Sequence, residues 1–203
     1  MKFSKFFSNL QEAPWYREFL NPVLKEIGTN GKLLDIGTGS GKMLQILTTE
    51  NGIECTGVDT NEHMLTEAKK KLGSINVNLV KIEPNEKLPF DNNSFDYVTI
   101  CSVLFHLKKE DMDNMLQDSL SLLRNQGKVI ILTPTGKGSY LKLTRHYLSI
   151  KNSGIYIWYK STKKRAKIWN KENYLAEYAT KNNLKYKSEI VMNGFAQLEI
   201  LSK

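Results

Sequence analysis

The chain has 203 residues, which suits one domain, or one domain with a modest insertion. Its 40% hydrophobic and 25% charged residues exclude a disordered or fibrous chain, and no run approaches the ~18 apolar residues of a membrane-spanning helix. Lys and Arg (29) outnumber Asp and Glu (21), and the net charge of +8 indicates an anionic partner, which is a phosphate-bearing ligand, a lipid surface or nucleic acid.

The cysteines and the N-terminus indicate the compartment. Cys55 and Cys101 lie in apolar, strand-like runs and are predicted to be buried and reduced. No Cys/His cluster has zinc spacing, so no metal site is predicted. The opening MKFSKFFSNLQEAPW lacks the apolar run of a secretory signal, and we expect a soluble, cytoplasmic protein.

Along the chain, β-rich runs alternate with segments of helical spacing. An amphipathic helix begins at Pro14, a residue suited to a first helical turn. Helices are predicted over Asn61–Leu72 and Lys108–Leu123, and Asn125-Gln126-Gly127 is expected to separate the second from the next strand. This alternation predicts a mostly parallel sheet with helices on both faces. The predicted strands are Lys32–Gly37, Ile53–Val58, Val77–Ile82, Phe95–Cys101 and Lys128–Thr133.

The C-terminal part breaks the alternation. Glu172–Asn182 has helical spacing, with Tyr174, Leu175, Tyr178 and Ala179 on one face. Asn193-Gly194 then lies between two apolar runs, which is a strong hairpin signal. Strands at about 184–192 and 195–201 are therefore predicted to be antiparallel neighbours.

A glycine-rich turn follows the first strand in Asp35-Ile36-Gly37-Thr38-Gly39-Ser40-Gly41. It is not a phosphate-binding P-loop, because Ile36 and Met43 stand where that motif needs Gly and Ser or Thr. It is not a dinucleotide fingerprint, because Lys42 stands where the third glycine belongs. A ligand loop and a purely structural turn both remain open from these letters.

Asp59 favours the ligand loop. It ends the second strand, beside the glycine turn, where a carboxylate can accept hydrogen bonds from both ribose hydroxyls of a nucleoside. The alternative is that Asp59, Thr60 or Asn61 only caps the following helix.

Four blocks in order over about residues 30–135 resemble the class I S-adenosylmethionine-dependent methyltransferases of the type 11 small-molecule group. They are Asp35–Gly41, Gly57-Val58-Asp59, Leu88–Val98 and Leu122–Val129. The resemblance implies an α/β, Rossmann-like fold of seven strands in the order 3-2-1-4-5-7-6, with strand 7 antiparallel. It also implies S-adenosyl-L-methionine as cofactor.

The same resemblance implies roles for individual positions. Gly37 and Gly39 would line the amino-acid and ribose moieties, and Ser102 would offer its backbone to the methionyl amino group. Family members usually have an Asp where this chain has Pro84, so Glu83 or backbone atoms would hold adenine. Residues 1–30 would form a helical lid whose Tyr16 or Arg17 meets the methionyl carboxylate, unless this helix serves only core packing. The predicted cofactor set is Asp35, Gly37, Thr38, Gly39, Asp59, Thr60, Met64, Glu83, Ser102 and Tyr16.

His106, after the fourth strand, is the candidate general base. The alternative is a histidine that only orders its loop. A substrate that already presents a free amine, thiolate or carbanion would need no base.

The positive charge is concentrated in residues 136–171, which carry +10 without any Asp or Glu and include six aromatic residues. In this fold such a segment shapes the acceptor site, and its composition suits an anionic small molecule, a lipid or quinone precursor, or RNA, ranked in that order. The alternatives are a lysine-rich solvated face over packing aromatics, and a non-catalytic cofactor-binding module.

Overall fold

The computed structural model describes residues 2–203, with side chains from Lys5 onward. Met1, the first residue of the predicted lid, lies outside the described residues. The strands are β1 (Lys32–Ile36), β2 (Glu54–Asp59), β3 (Val77–Lys81), β4 (Phe95–Cys101), β5 (Leu123–Pro134), β6 (Lys185–Val191) and β7 (Ala196–Ser202). The helices are α1 (Lys2–Gln11), α2 (Pro14–Glu26), α3 (Lys42–Ile46), α4 (Glu62–Leu72), α5 (Lys109–Leu122), α6 (Tyr140–Tyr147), α7 (Gly154–Glu172) and α8 (Tyr174–Lys181).

The strands form one seven-stranded sheet in the order β3-β2-β1-β4-β5-β7-β6, as predicted. Strand β1 pairs in parallel with β2 and β4, whereas β7 pairs antiparallel with both β5 and β6. The predicted mixed α/β fold class is therefore confirmed. Because β1 and β4 meet at the centre of the order, the loops that follow them share one sheet edge, where open α/β sheets bind ligands.

Helices cover both faces of the sheet, which explains why the central strands are almost continuously apolar. On one face, α2 and α7 bring Trp15, Phe19 and Trp158 against strand residues such as Leu33. On the other face, α5 and α8 pack over residues such as Ile131. None of the helices in the described range has both the length and the apolar content to cross a membrane.

Two predicted boundaries are wrong. Glu172 ends α7, and α8 begins at Tyr174 after Asn173 breaks the helix in a left-handed conformation (φ 48°). Strand β5 begins at Leu123 and runs through Asn125-Gln126-Gly127, which was expected to precede the strand. Gln126 has φ 67°, and the pairing with β4 shifts register between Phe95 and Tyr97, so a bulge absorbs these residues within the strand.

The C-terminal hairpin is confirmed, but its connection is longer than Asn-Gly alone. The last pair is Val191 with Ala196, so residues 192–195 form the loop. Met192 and Asn193 both have positive φ, and Phe195 N–H donates to the Met192 carbonyl (3.0 Å). Phe195 has helical backbone angles (φ −89°, ψ −15°) and lies outside β7, and its ring packs edge-on against Tyr147 and Tyr159.

Candidate functional site

The glycine turn leaves β1 at the carboxyl edge of the sheet and crosses the end of β2. Gly37, Gly39 and Gly41 have φ of 75°, 58° and 76°, a region that favours glycine. The N–H groups of Gly37 and Thr38 donate to the Val58 carbonyl (2.9 and 3.0 Å). A Cβ on Gly37 would lie 2.4 Å from Val103 Cγ2, so this position also lacks room for a side chain.

Asp59 holds the other side of this turn. Its Oδ2 accepts from Gly39 N–H and its Oδ1 from Asn61 N–H, both at 2.8 Å. Asn61 is the residue that caps α4, accepting from the N–H groups of His63 and Met64 (3.0 and 3.3 Å). The capping alternative thus applies to Asn61, and the Asp59 carboxylate is fixed at the edge of a cavity.

That cavity has a volume of about 400 Å³. Apolar side chains of Ile36, Ile82, Leu88 and Val103 form part of its wall. Four residues of the predicted set line it, namely Gly37, Asp59, Thr60 and Glu83. Pro84 lines it as well, and the Glu83 carboxylate is paired with Lys81. An apolar slot with an acidic rim fits the base and ribose of a nucleoside.

Other members of the predicted set lie around the glycine turn, outside the lining of this cavity. Asp35 is 3% exposed and accepts from Thr99 Oγ1 (2.9 Å). Burial raises the pKa of Asp35 to about 6, although the Thr99 hydrogen bond opposes the rise. Thr38 is buried, and Met64 Cε would lie 3.3 Å from a Cβ on Gly39.

Gln11, at the end of α1, covers the glycine turn and was not predicted. It accepts from Ser40 Oγ and donates from Nε2 to Tyr16 Oη (2.9 Å), while a Cβ on Gly39 would lie 3.3 Å from Nε2. Burial raises the pKa of the Tyr16 hydroxyl. A lone glutamine in an amphipathic segment carries no motif, so the sequence offered no signal for it.

An ionic cluster ties the same covering helices to the body of the domain. Glu12 pairs with Lys42 and Lys71, each at 2.6 Å. Arg17, the alternative to Tyr16 as a cofactor contact, instead makes two 2.7 Å hydrogen bonds to Glu50. Residues 1–30 therefore include a cover over the glycine turn, and their function as a cofactor lid remains a prediction.

Ser102 follows β4 in a left-handed conformation (φ 59°). Its N–H donates to the Leu132 carbonyl (2.8 Å), and its Oγ is buried with no hydrogen-bond partner among the described residues. A non-glycine residue in this conformation is uncommon and is often found at functional sites. A bound ligand is one source of the hydrogen bond that Ser102 Oγ lacks.

His106 lies in a short 3₁₀ turn after β4, and Arg165 of α7 contacts it at 2.7 Å, Nη1 to Nδ1. A guanidinium can only donate, so Nδ1 accepts and the neutral ring carries its proton on Nε2. Burial, followed by the Arg165 charge, lowers the pKa of His106. A general-base role would require Arg165 to release Nδ1, so this geometry favours the loop-ordering alternative.

The basic segment, residues 136–171, folds as α6, a 3₁₀ turn and α7. Tyr147, Trp158, Tyr159 and Trp169 are buried, which matches the packing alternative for most of its aromatics. Tyr140 is 47% exposed. Arg165 brings the segment to the His106 turn, but in the described part of the chain no residue of 136–171 lines the cavity.

The central part of the chain is similar to known methyltransferases. Residues 34–131 match the family model of the type 11 methyltransferase domain. The ubiquinone/menaquinone biosynthesis C-methyltransferase UbiE of Rickettsia bellii is 34% identical over 128 residues, covering 58% of this chain and 49% of that protein. The Rickettsia felis counterpart is 36% identical over 139 residues, covering 63% and 53%. The chain thus spans about half the length of the curated relatives it matches.

Solved structures share the fold. A putative S-adenosyl-L-methionine-dependent methyltransferase of Methanococcus maripaludis superposes with a TM-score of 0.71 at 18% identity, covering 100% of this chain and 92% of that one. Phosphoethanolamine N-methyltransferase 2 of Haemonchus contortus, in complex with S-adenosyl-L-methionine, gives a TM-score of 0.61 at 26% identity, covering 86% of this chain and 38% of that one.

Proposed function

Since this chain belongs to the class I S-adenosylmethionine-dependent methyltransferases of the type 11 group, we propose that it methylates a small amphiphilic acceptor of the quinone-precursor kind. The observation that carries the cofactor half of this proposal is Asp59, fixed by Gly39 and Asn61 at the rim of the nucleoside-sized cavity. The relatives named as quinone C-methyltransferases support the acceptor half.

The residues of the chain would mainly bind, orient and exclude water. Asp59 retains lone pairs for the ribose hydroxyls, and the walls formed by Ile82 and Val103 hold the flat base. The glycine turn lets the ligand approach its backbone, and α1 with Gln11 covers that turn. When bound, S-adenosylmethionine supplies a methyl group that its sulfonium already activates, so alignment of the acceptor is the principal task.

The acceptor is best sought among neutral or anionic aromatic compounds with an apolar tail. The cationic segment 136–171 contacts the His106 turn near the sheet edge, which suits such a molecule. A carbon or phenolate nucleophile with a low pKa would need no dedicated base, in keeping with the occupied Nδ1 of His106.

Cofactor binding tests the first half of the proposal. Asp59→Ala should weaken S-adenosyl-L-methionine binding by about a hundredfold in calorimetry, because a charge-assisted pair of hydrogen bonds is lost. Asp59→Asn keeps the shape of the side chain and should lose less affinity for S-adenosyl-L-methionine. Asp91→Ala, on an exposed loop, is the matched control and should bind normally. Unchanged affinity in both Asp59 variants would contradict the assignment.

Methyl transfer tests the second half. The purified protein is incubated with a cell extract and S-adenosyl-L-methionine labelled in its methyl group, and the label is followed into lipid, water-soluble and RNA fractions. We expect label in quinone-type compounds of the lipid fraction, and none with Asp59→Ala. Label confined to RNA would favour a nucleic-acid methyltransferase, and binding without transfer would favour a non-catalytic module.

A further inference from the structure

The outer surface of α6 and the 3₁₀ turn after it exposes large aliphatic side chains. Leu141, Leu148 and Ile150 are 82%, 79% and 94% exposed, well above the other exposed large hydrophobics of the described residues. A soluble surface tolerates single exposed leucines, but several within ten residues mark an interaction site. Residues 140–151, which include these three side chains and the basic Lys142, Arg145 and Lys151, form the 140–151 tip.

The tip has a defined orientation. Leu141, Arg145 and Leu148 are spaced i, i+4 and i+7, so they lie on one helical face, while Leu143 and Tyr147 are buried on the other. Tyr147 Oη donates to Glu18 (2.7 Å), and Tyr156 Oη donates to Thr144 Oγ1 (3.1 Å). Ser139 caps the start of α6. The inner face is therefore anchored, and the outer face is presented by a packed helix.

The charge of the tip identifies its occupant. Lys142, Arg145 and Lys151 are exposed among the aliphatic residues, and residues 136–171 contain no Asp or Glu. The outer face of α7 continues this composition, with Ile157 and Ile168 half exposed beside Lys160 and Lys164. Basic side chains adjacent to exposed aliphatic ones complement lipid phosphates and the acyl layer below them.

We propose that the 140–151 tip docks this protein on the surface of an anionic lipid bilayer. Leu141, Leu148 and Ile150 would insert at the boundary between headgroups and acyl chains, and Arg145 and Lys151 would contact headgroup phosphates. Because few side chains take part, the adsorption is reversible and salt-sensitive. The proposal concerns a surface outside the cofactor cavity and holds whichever acceptor is methylated.

Vesicle co-sedimentation of the full chain tests this proposal. Binding is expected to vesicles of phosphatidylglycerol mixed with phosphatidylcholine, and at least tenfold weaker binding to phosphatidylcholine alone. The triple change Leu141→Ser, Leu148→Ser, Ile150→Ser and the double change Arg145→Gln, Lys151→Gln should each reduce binding to the mixed vesicles at least tenfold. The matched controls are Ile190→Ser and Lys185→Gln, at exposed positions of β6. Both control variants should bind the mixed vesicles as the unchanged protein does.

Circular dichroism melting and S-adenosyl-L-methionine calorimetry establish that each variant is folded, independently of lipid and of methyl transfer. Equal binding to both vesicle types, or normal binding by the triple variant, would overturn the proposal. So would a lipid-free dimer that the triple variant abolishes, since the tip would then be an interface between copies. Salt-sensitive binding to RNA, without any binding to vesicles, would overturn it as well.

Discussion

Asp35 is the buried carboxyl group next to the glycine turn. Its pKa is raised from an ordinary 3.8 to about 6, mainly by burial, so the folded protein binds its proton more tightly than the unfolded chain does. Stability from this group is therefore fully present below about pH 4 and is lost as the pH rises through about 6. Above that pH the ionised carboxylate lowers the free energy of unfolding.

Asp35→Asn should remove the destabilisation caused by the ionised carboxylate, and it keeps an oxygen that can accept the hydrogen bond from Thr99 Oγ1. We expect the cofactor-free variant to gain about 2–3 kcal/mol over the unchanged protein at about pH 8, and little at about pH 4. Urea unfolding at the two pH values measures this difference. Asp91→Asn, on an exposed loop, serves as control. A gain or loss that is equal at both pH values would argue against a buried, ionised Asp35.

At the scale of single elements, α4 shows how a helix start positions a site residue. Asn61 caps α4 through two backbone N–H groups, and its own N–H donates to Asp59. The cap and the ribose-binding candidate are therefore adjacent but distinct. The buried face of the helix consists of Met64, Leu65, Ala68 and Leu72, whose positions follow helical spacing.

Asn61→Ala should lower the free energy of unfolding by about 1 kcal/mol, because two backbone donors lose their acceptor. Asn61→Asp should restore most of it. Asn76→Ala, at an exposed position outside any helix, is the matched control and should change stability little. Chemical denaturation measures these differences. If Asn61→Ala behaved like Asn76→Ala, the cap would contribute nothing to stability.

At the scale of the whole molecule, the N-terminal helices cover the glycine turn through few polar contacts. Glu12 links the end of α1 to Lys42 of α3 and Lys71 of α4. Glu12 is exposed, whereas Lys42 and Lys71 are half buried. Ion pairs with a solvent-exposed partner contribute modestly to global stability, so this cluster is expected to hold the cover in place more than to hold the fold together.

Glu12→Gln should therefore accelerate hydrogen exchange of the α1 amides several-fold, with little change in melting temperature. Glu50→Gln is the control, because it removes the Arg17 ion pair without touching the α1 cover. Mass spectrometry of exchanged peptides gives the comparison. Unchanged α1 exchange in Glu12→Gln would show that apolar packing alone holds the cover.

The sequence by itself determined the sheet order, through the resemblance, and the C-terminal hairpin, through Asn193-Gly194. It also identified the glycine turn and Asp59, because tight turns and strand ends restrict residue type locally. The predicted boundaries of helices and strands were wrong where a short stretch of sequence is compatible with two local structures. Gln126 can end a helix or form a bulge, and the pairing of Tyr97 with Lys128 in the sheet selects the bulge.

Only the tertiary structure decided which distant residues meet. Gln11 lies against Gly39, and Arg165 contacts His106. Within the basic segment, Trp158 is buried, whereas the aliphatic side chains of Leu141, Leu148 and Ile150 are exposed. The sequence of a segment with a charge of +10 and six aromatic residues does not distinguish rings that bind substrate from rings that pack in a core. Helix docking separates the two, because burial depends on the partner face, here α2 with Trp15 and Phe19, which lies more than a hundred residues away in the chain.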